Sequence, residues 1–298
     1  MNTVDGKNPE ITFELGKEIR FFSEGIELFR GVLFRKSVDS TGSTTLTAHD
    51  ESLYLKKNTD TRRFTKATAS QIVRQLCADF GITAGTIADT AYVIPKLILR
   101  DKTLWEMITI ALTLTFKNGG RRFFVYADKG VLNLAERKTR RAAFVIESAT
   151  NMTGATYTQS IEDMRNRVRV IGGDPDKKPV STTASDGTSA AKYGIMQHLE
   201  NAPYDATLAQ VKQLAARLLT EMNVIDDEAR VESIGYDDTY AGVSVYVYDK
   251  MTGIIGSYYV SSDTHTYSDG LHTMSLTLSA TDDLPTLEYV PPPEVNAK

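Results

Sequence analysis

Ile11, Phe13 and Leu15 occupy alternate positions with polar residues between them, and Gly16-Lys17 breaks the run before 19–22. Alternation with period two predicts half-buried strands. Glu24-Gly25 predicts a tight turn, because glycine takes positive φ without steric cost. Leu28, Val32 and Phe34 continue the alternation over 28–36, with Gly31 read as a bulge, and Thr41-Gly42-Ser43 turns the chain into 44–50. Short antiparallel strands joined this way predict a small barrel or sandwich.

From Lys56 to about Arg141 the period changes. Thr68 and Gln71 have capping-box spacing, and Ile72, Leu76 and Phe80 recur at helical intervals until Gly81. Thr103 and Glu106 repeat the box. Behind them Leu104, Met107, Ile108, Ala111, Leu112 and Thr115 form an apolar face closed by Asn118-Gly119-Gly120. A hairpin of 122–127 and 131–136, joined through Asp128-Lys129-Gly130, follows.

Strands return from about Tyr157, with one at 164–171. The stretch 172–192, rich in Gly, Ser, Thr, Asp and Pro, reads as a mobile surface loop. Leu208, Val211, Leu214, Ala215, Leu218 and Leu219 stripe a helix over 205–222, and strands are expected at 230–236, 243–248, 254–261 and 271–280. Val290-Pro291-Pro292-Pro293 reads as an extended polyproline tail, free to lie on a neighbour. The expected class is α+β, mainly β, with two small antiparallel β-barrel domains flanking an inserted α+β lobe. The boundaries are 1–55 for the N-terminal barrel strands and 56–141 for the lobe of two helices and a hairpin. The second barrel is 142–282, carrying loop 172–192 and helix 205–222, and 283–298 is the Pro-rich tail.

Composition narrows the function more than the fold. Of 298 residues 41% are hydrophobic and 24% charged, enough to build cores, and 34 Lys and Arg against 38 Asp and Glu leave a net charge of -4. That balance argues against gripping nucleic-acid phosphates, which calls for a basic surplus. The single cysteine, Cys77, excludes an internal disulfide framework and Cys-rich metal sites. No apolar run approaches the roughly 20 residues a bilayer requires. Residues 1–7 put no apolar core behind their charges, so no signal peptide is expected, and the chain is expected either to be made and kept in a reducing cytoplasm or to leave by a route other than secretion.

Catalytic signatures are sparse. Gly16-Lys17 lacks the upstream glycine of a phosphate loop, Gly242-Val243-Ser244-Val245-Tyr246 misses the nucleophile elbow by its last glycine, and H-E-x-x-H is absent. Asp226-Asp227-Glu228 and Asp237-Asp238 fall in expected turns and read as solvated. Trp105 reads as a core residue, and the basic clusters 121–122 and 137–141 bracket the base of the hairpin. One constellation stands out. An Asp269-Gly270 hairpin turn sets Tyr267 opposite His272, so that Asp263, His265, Tyr267, His272 and Met274 share a face. Asp263, His265 and His272 are then a candidate facial metal site, or else a hydrogen-bonded cluster closing a sheet end. The second reading is the one taken, and no catalytic residue, cofactor or metal is expected. Arg165, Arg167 and Arg169 alternate with Asn166, Val168 and Val170, so three guanidinium groups project from one strand face. That face is either solvated or a contact, and as a contact it meets carboxylates of another subunit or passing DNA.

Several segments together are familiar. Leu28-Phe29-Arg30-Gly31-Val32, Thr47-Ala48-His49-Asp50 and Leu53-Tyr54-Leu55-Lys56-Lys57-Asn58 resemble the opening of the PBSX-prophage XkdQ/YqbQ family, tail hub proteins of contractile phage tails and related bacteriocins. The likeness continues through Thr68-Ala69-Ser70-Gln71-Ile72-Val73, Cys77-Ala78-Asp79-Phe80-Gly81-Ile82 and Ser160-Ile161-Glu162-Asp163-Met164. It resumes at Tyr193-Gly194-Ile195-Met196-Gln197, Asp263-Thr264-His265-Thr266 and Gly270-Leu271-His272-Thr273-Met274, covering nearly the whole chain in order. The resemblance implies a T4-type baseplate hub, a homotrimer whose two barrels per chain form a pseudo-sixfold ring. Such a ring joins the threefold central spike to the sixfold tail tube protein, beside baseplate and tube-initiator proteins. DNA would be only passing cargo, and the chain itself would not enter a membrane. Assembly would take place in the bacterial cytoplasm, before release as part of a phage tail or R-type bacteriocin. Members usually carry one or two strands ahead of the segment matching 11–22, so the first barrel here would start late or borrow a strand. Two other readings compete with the hub. One is a tail-tip cell-wall hydrolase or peptidase, and the other a glycan- or receptor-binding protein presenting Tyr246, Tyr248, Tyr258 and Tyr259.

Overall fold

The computed structural model describes residues 12–174 and 178–291. They form two compact units, one made of the described residues within 12–143, 237–245 and 280–291, the other of those within 144–236 and 246–279. The N-terminal strands and the helical lobe therefore fall in the same unit.

In the first unit, β1 (Glu18–Ser23), β2 (Ile26–Val38) and β3 (Thr44–His49) make a three-stranded antiparallel sheet in that order. Glu24 and Gly25 turn β1 into β2 at φ 50° and 81°, the left-handed pair a two-residue hairpin requires. Gly31 does not mark a bulge. The register shifts fall between Phe21 and Phe22 and between Leu33 and Arg35. At Gly31 the backbone of β3 approaches so closely that a Cβ would lie 2.4 Å from the His49 carbonyl oxygen. After α1 (Ser52–Lys57), β4 (Thr59–Thr68) leads into α2 (Ala69–Asp79), then β5 (Ala84–Ile87), β6 (Val93–Thr103) and α3 (Leu104–Gly119). Both long helices begin with the expected capping boxes, at Thr68/Gln71 and Thr103/Glu106, and Gly120 ends α3 in the left-handed conformation. Their apolar faces, with Ile72, Leu76, Leu104, Met107 and Ile108, close on Leu97 of β6 and on Leu132 and Leu134. The last two belong to β8 (Val131–Glu136), paired with β7 (Phe123–Asp128) in the expected hairpin. Trp105 packs against this core. Cys77 is buried within it, and burial pushes its thiol pKa up.

A 3-10 turn (Arg137–Thr139) precedes β9 (Arg141–Glu147). The second unit contains β10 (Met152–Ser160), then β11 (Arg167–Asp174) and β12 (Lys178–Ser185), α4 (Gly187–Tyr193), β13 (Gln197–Asn201) and α5 (Leu208–Met222). It continues with β14 (Asp226–Ile234), β16 (Ile255–Ser268) and β17 (Leu271–Ser279), while β15 (Ser244–Tyr248) begins in the first unit and ends in the second. One six-stranded sheet has the order β10-β14-β17-β16-β15-β9, and a three-stranded sheet the order β12-β11-β13.

Of the described residues 49% are strand and 21% helix, and none of the sheets they form closes into a barrel, which corrects the two-barrel expectation. Strand alternation reports that one face is buried, and a face can be buried by a helix as well as by curling a sheet on itself. The second correction is the loop at 172–192. Its described residues complete β11, pair β12 antiparallel against it, and form α4. Val180, Thr182 and Ala184 alternate along β12, and Asp186 caps α4 by accepting from the amides of Thr188 and Ser189. Asp226-Asp227-Glu228 likewise opens a strand and is not a turn. Pro292 and Pro293 of the expected tail lie outside the described residues.

Candidate functional site

The hairpin of β16 and β17 brings the Asp263 constellation together in the expected register. Asp269 and Gly270 turn at φ 53° and 78°, Tyr267 pairs with His272, and His265 pairs with Met274. His265 Nδ1 lies 2.8 Å from His272 Nε2, and His265 Nε2 lies 3.6 Å from an Asp263 carboxylate oxygen. The Tyr267 ring stacks on His272 at 4.0 Å. Beneath it Gly235 gives its amide to the His272 carbonyl, and a Cβ at Gly235 would sit 2.1 Å from the imidazole. Both His265 nitrogens are thus turned toward neighbours of the cluster. Among the described residues no group of three or more His, Cys, Asp or Glu is arranged to hold a metal ion. The arrangement hydrogen-bonds a sheet end.

The arginines divide. Arg165 donates to the carbonyls of Glu162 and Met164, at 3.1 and 2.7 Å, and is held by its own turn. Arg167 and Arg169 lie on the face of β11 turned away from α5, because Val168 and Val170 pack against Val211 and Ala215. Of the helix stripe expected over 205–222, Leu214, Leu218 and Leu219 join this contact, while Leu208 stays exposed.

The hairpin base carries its own basic cluster. Arg121 pairs with Glu136 at 2.6 Å, and Arg140 lies over the rings of Tyr126 and Tyr240 at 4.6 and 4.9 Å. Gly242 makes room there, since a Cβ would meet the Phe124 ring at 2.4 Å. These guanidinium groups are spent on internal contacts. Of the tyrosines weighed for glycan binding, Tyr246 is exposed, and Tyr248, Tyr258 and Tyr259 are half-buried. What the sequence reading missed is an acidic row on β14, where Asp226, Glu228 and Glu232 alternate with buried Ala229 and Val231. The period-two signal is present there but starts inside residues read as a turn.

No helix among the described residues is long and apolar enough to cross a membrane. A family model described as YQBQ-like matches residues 1–279. The chain is 31% identical over 285 residues to the phage-like element PBSX protein XkdQ of Bacillus subtilis, covering 95% of this chain and 87% of that one. It is 30% identical over the same shares to the B. subtilis protein YqbQ. Among solved structures, the 43 kDa tail protein of prophage MuSo2 from Shewanella oneidensis superposes with a TM-score of 0.63 at 14% identity, over 92% of this chain and 86% of that one. A tail protein from Neisseria meningitidis gives 0.60 at 15% identity, over 89% and 83%. A type VI secretion component of E. coli, described as structurally similar to the T4 tail proteins gp27 and gp5, gives 0.53 at 9% identity, over 94% and 68%. With a family model matched along 279 residues and curated relatives aligned over nearly its full length, the chain belongs to the YQBQ-like family and has the fold of phage tail proteins.

Proposed function

We propose that the chain is a non-catalytic baseplate hub, three copies of which join the threefold spike to the sixfold tube of a contractile injection particle. The observation that carries the reading is the family match along almost the whole chain combined with a tail-protein fold. Two structural features support it. The sheets end in strands such as β1, β3, β12 and β13 that, among the described residues, pair with another strand along one edge only. An unpaired edge is an aggregation hazard in a lone protein and a ready contact in an assembly. The Asp263, His265 and His272 cluster is also turned inward on itself. In this reading assembly takes place in the bacterial cytoplasm, with tube, spike, baseplate and tube-initiator proteins as partners and DNA as passing cargo.

The test is native mass by light scattering, alone and with the spike protein of the same particle. A species of about three times the 32.9 kDa chain, alone or only with the spike, is expected. A monomer under both conditions overturns the hub.

A further inference from the structure

Resting on that trimeric reading, we propose that copies of this chain contact one another head to tail through opposite charges. The open arginine face of β11 on one copy would seat on the acidic row of β14 on the next.

Arg167 and Arg169 project from the side of β11 that α5 does not cover. The register sets Arg167 beside Ser185 and Gln197, and Arg169 beside Thr183 and Leu199, so no carboxylate stands directly beside either arginine on the neighbouring strands. Among the described residues neither makes an ion pair, and the Nε of Arg167 is shut from solvent without an acceptor. A guanidinium without a carboxylate partner of its own can take one from outside, in the bidentate geometry its fork allows. Leu199 and Ile171, 52% and 36% exposed, give the same face an apolar component.

The counterpart lies on the other sheet of the same unit. β14 buries Ala229, Val231 and Ser233, which leaves Asp226, Glu228, Arg230 and Glu232 exposed on its other face. Arg230 reaches Glu228 at 3.3 Å, while Asp226 and Glu232 make no ion pair among the described residues. The flanking positions are small: Ser160 and Thr158 on β10, and Thr277 and Ser275 on β17. Asp226 and Glu232 are therefore open to a long side chain from outside, while Glu228 is shared with Arg230.

Two details match the faces to each other. Arg167 and Arg169 are two residues apart, as are Asp226 and Glu228, and this spacing in a strand is about 6.7 Å, so both pairs can meet in register. Two arginine faces repel, and two β14 faces, each with three carboxylates against the single Arg230, repel as well. A two-fold contact of either face with its own copy is disfavoured, and a contact of the unlike faces repeated head to tail generates a ring where the rotation closes. The arginine face is about 200 Å² from strand spacing and rise, against about 800 Å² per partner in a standard interface. It therefore sets orientation and register, with the bulk of the contact made elsewhere.

The experiment measures association of the full chain by light scattering and sedimentation at low salt, with circular dichroism to check folding. Arg167→Glu/Arg169→Glu and, separately, Asp226→Arg/Glu228→Arg are each expected to stay folded and to associate about a hundredfold more weakly. The chain carrying all four changes restores opposite charge at every contact and is expected to recover the wild-type mass. The pairing is overturned, with the trimer left standing, if the wild type is trimeric and a folded single-face variant keeps that mass, or if the four-fold variant stays dissociated. Arginine reversal that keeps the trimer but abolishes retention of duplex DNA assigns the face to nucleic acid and likewise overturns it. A wild type that is monomeric alone and with the spike overturns the trimer itself, and the pairing with it.

Discussion

At Gly31 the backbone of a neighbouring strand takes the space a side chain would need. With 2.4 Å between an added Cβ and the His49 carbonyl oxygen, the conflict is with backbone, which cannot rotate away. Gly31→Ala should therefore cost about 1–3 kcal/mol, read as a lower urea midpoint for the first unit. An unchanged midpoint would mean that β2 and β3 separate freely at this point. The same residue shows where legibility ends. A glycine inside an alternating run announces that something departs from regular strand, but not whether the departure is a bulge or a close approach, since the neighbour that decides it is distant in sequence. The Asp263–His272 cluster was legible because all of its determinants are local. Asp269-Gly270 dictates a two-residue turn, the turn dictates the register, and period two puts Tyr267 over His272. What local reasoning could not supply was that His265 would point at His272 as well as at Asp263.

Helices α2, α3 and α5 all start from threonine with Gln or Glu three residues on, and each box is closed in both directions. In α3 the Thr103 hydroxyl accepts from the Glu106 amide at 3.1 Å, and the Glu106 carboxylate accepts from the Thr103 amide at 2.7 Å. Thr103→Ala removes the first contact and should destabilise α3 by about 1 kcal/mol, visible as faster amide exchange in its first turn. The Thr103 amide also holds the Glu106 carboxyl below its ordinary pKa, with the Thr103 hydroxyl and Lys102 adding to the effect. A depressed folded-state pKa contributes stability that is present above the ordinary carboxylate range and is lost as pH falls through the folded value. Protection of that first turn should therefore weaken in acid, and Glu106→Gln should remove the pH dependence. These helices were legible because a box and an apolar stripe are short-range signals. The hairpin arm β12 and helix α4 were not, because Ser, Thr, Asp and Gly serve equally in a strand facing solvent, a helix cap and a loop.

At the scale of the molecule, strand alternation foretold a mostly β chain and overreached in closing it into barrels. Closure depends on shear and on pairings between distant strands, and neither leaves a mark on the period of one strand. The last described stretch shows the same dependence on distant partners. Part of the segment 283–298, expected as an extended tail, runs along its own unit ahead of Val290: the Leu287 amide donates to the buried Thr113 hydroxyl at 3.1 Å, and the Ile98 amide donates to the Tyr289 hydroxyl at 3.2 Å. Glu288 pairs with Lys117 at 2.6 Å, and Arg122 pairs with Asp283 at 2.6 Å while lying 3.9 Å from the Phe116 ring. The salt bridges are exposed enough to contribute little, so the hold rests on the two amide hydrogen bonds and on Tyr289 packed against the core. Cutting the chain after Ser279 should lower the stability of the first unit by about 1–3 kcal/mol and raise exchange at Ile98, while amides of β14 and β17 keep their protection. Equal loss of protection in both units would instead make the tail a strut of the whole chain. No change in either would mean that α3 and β6 hold their shape without it, and that the tail merely follows a surface already made.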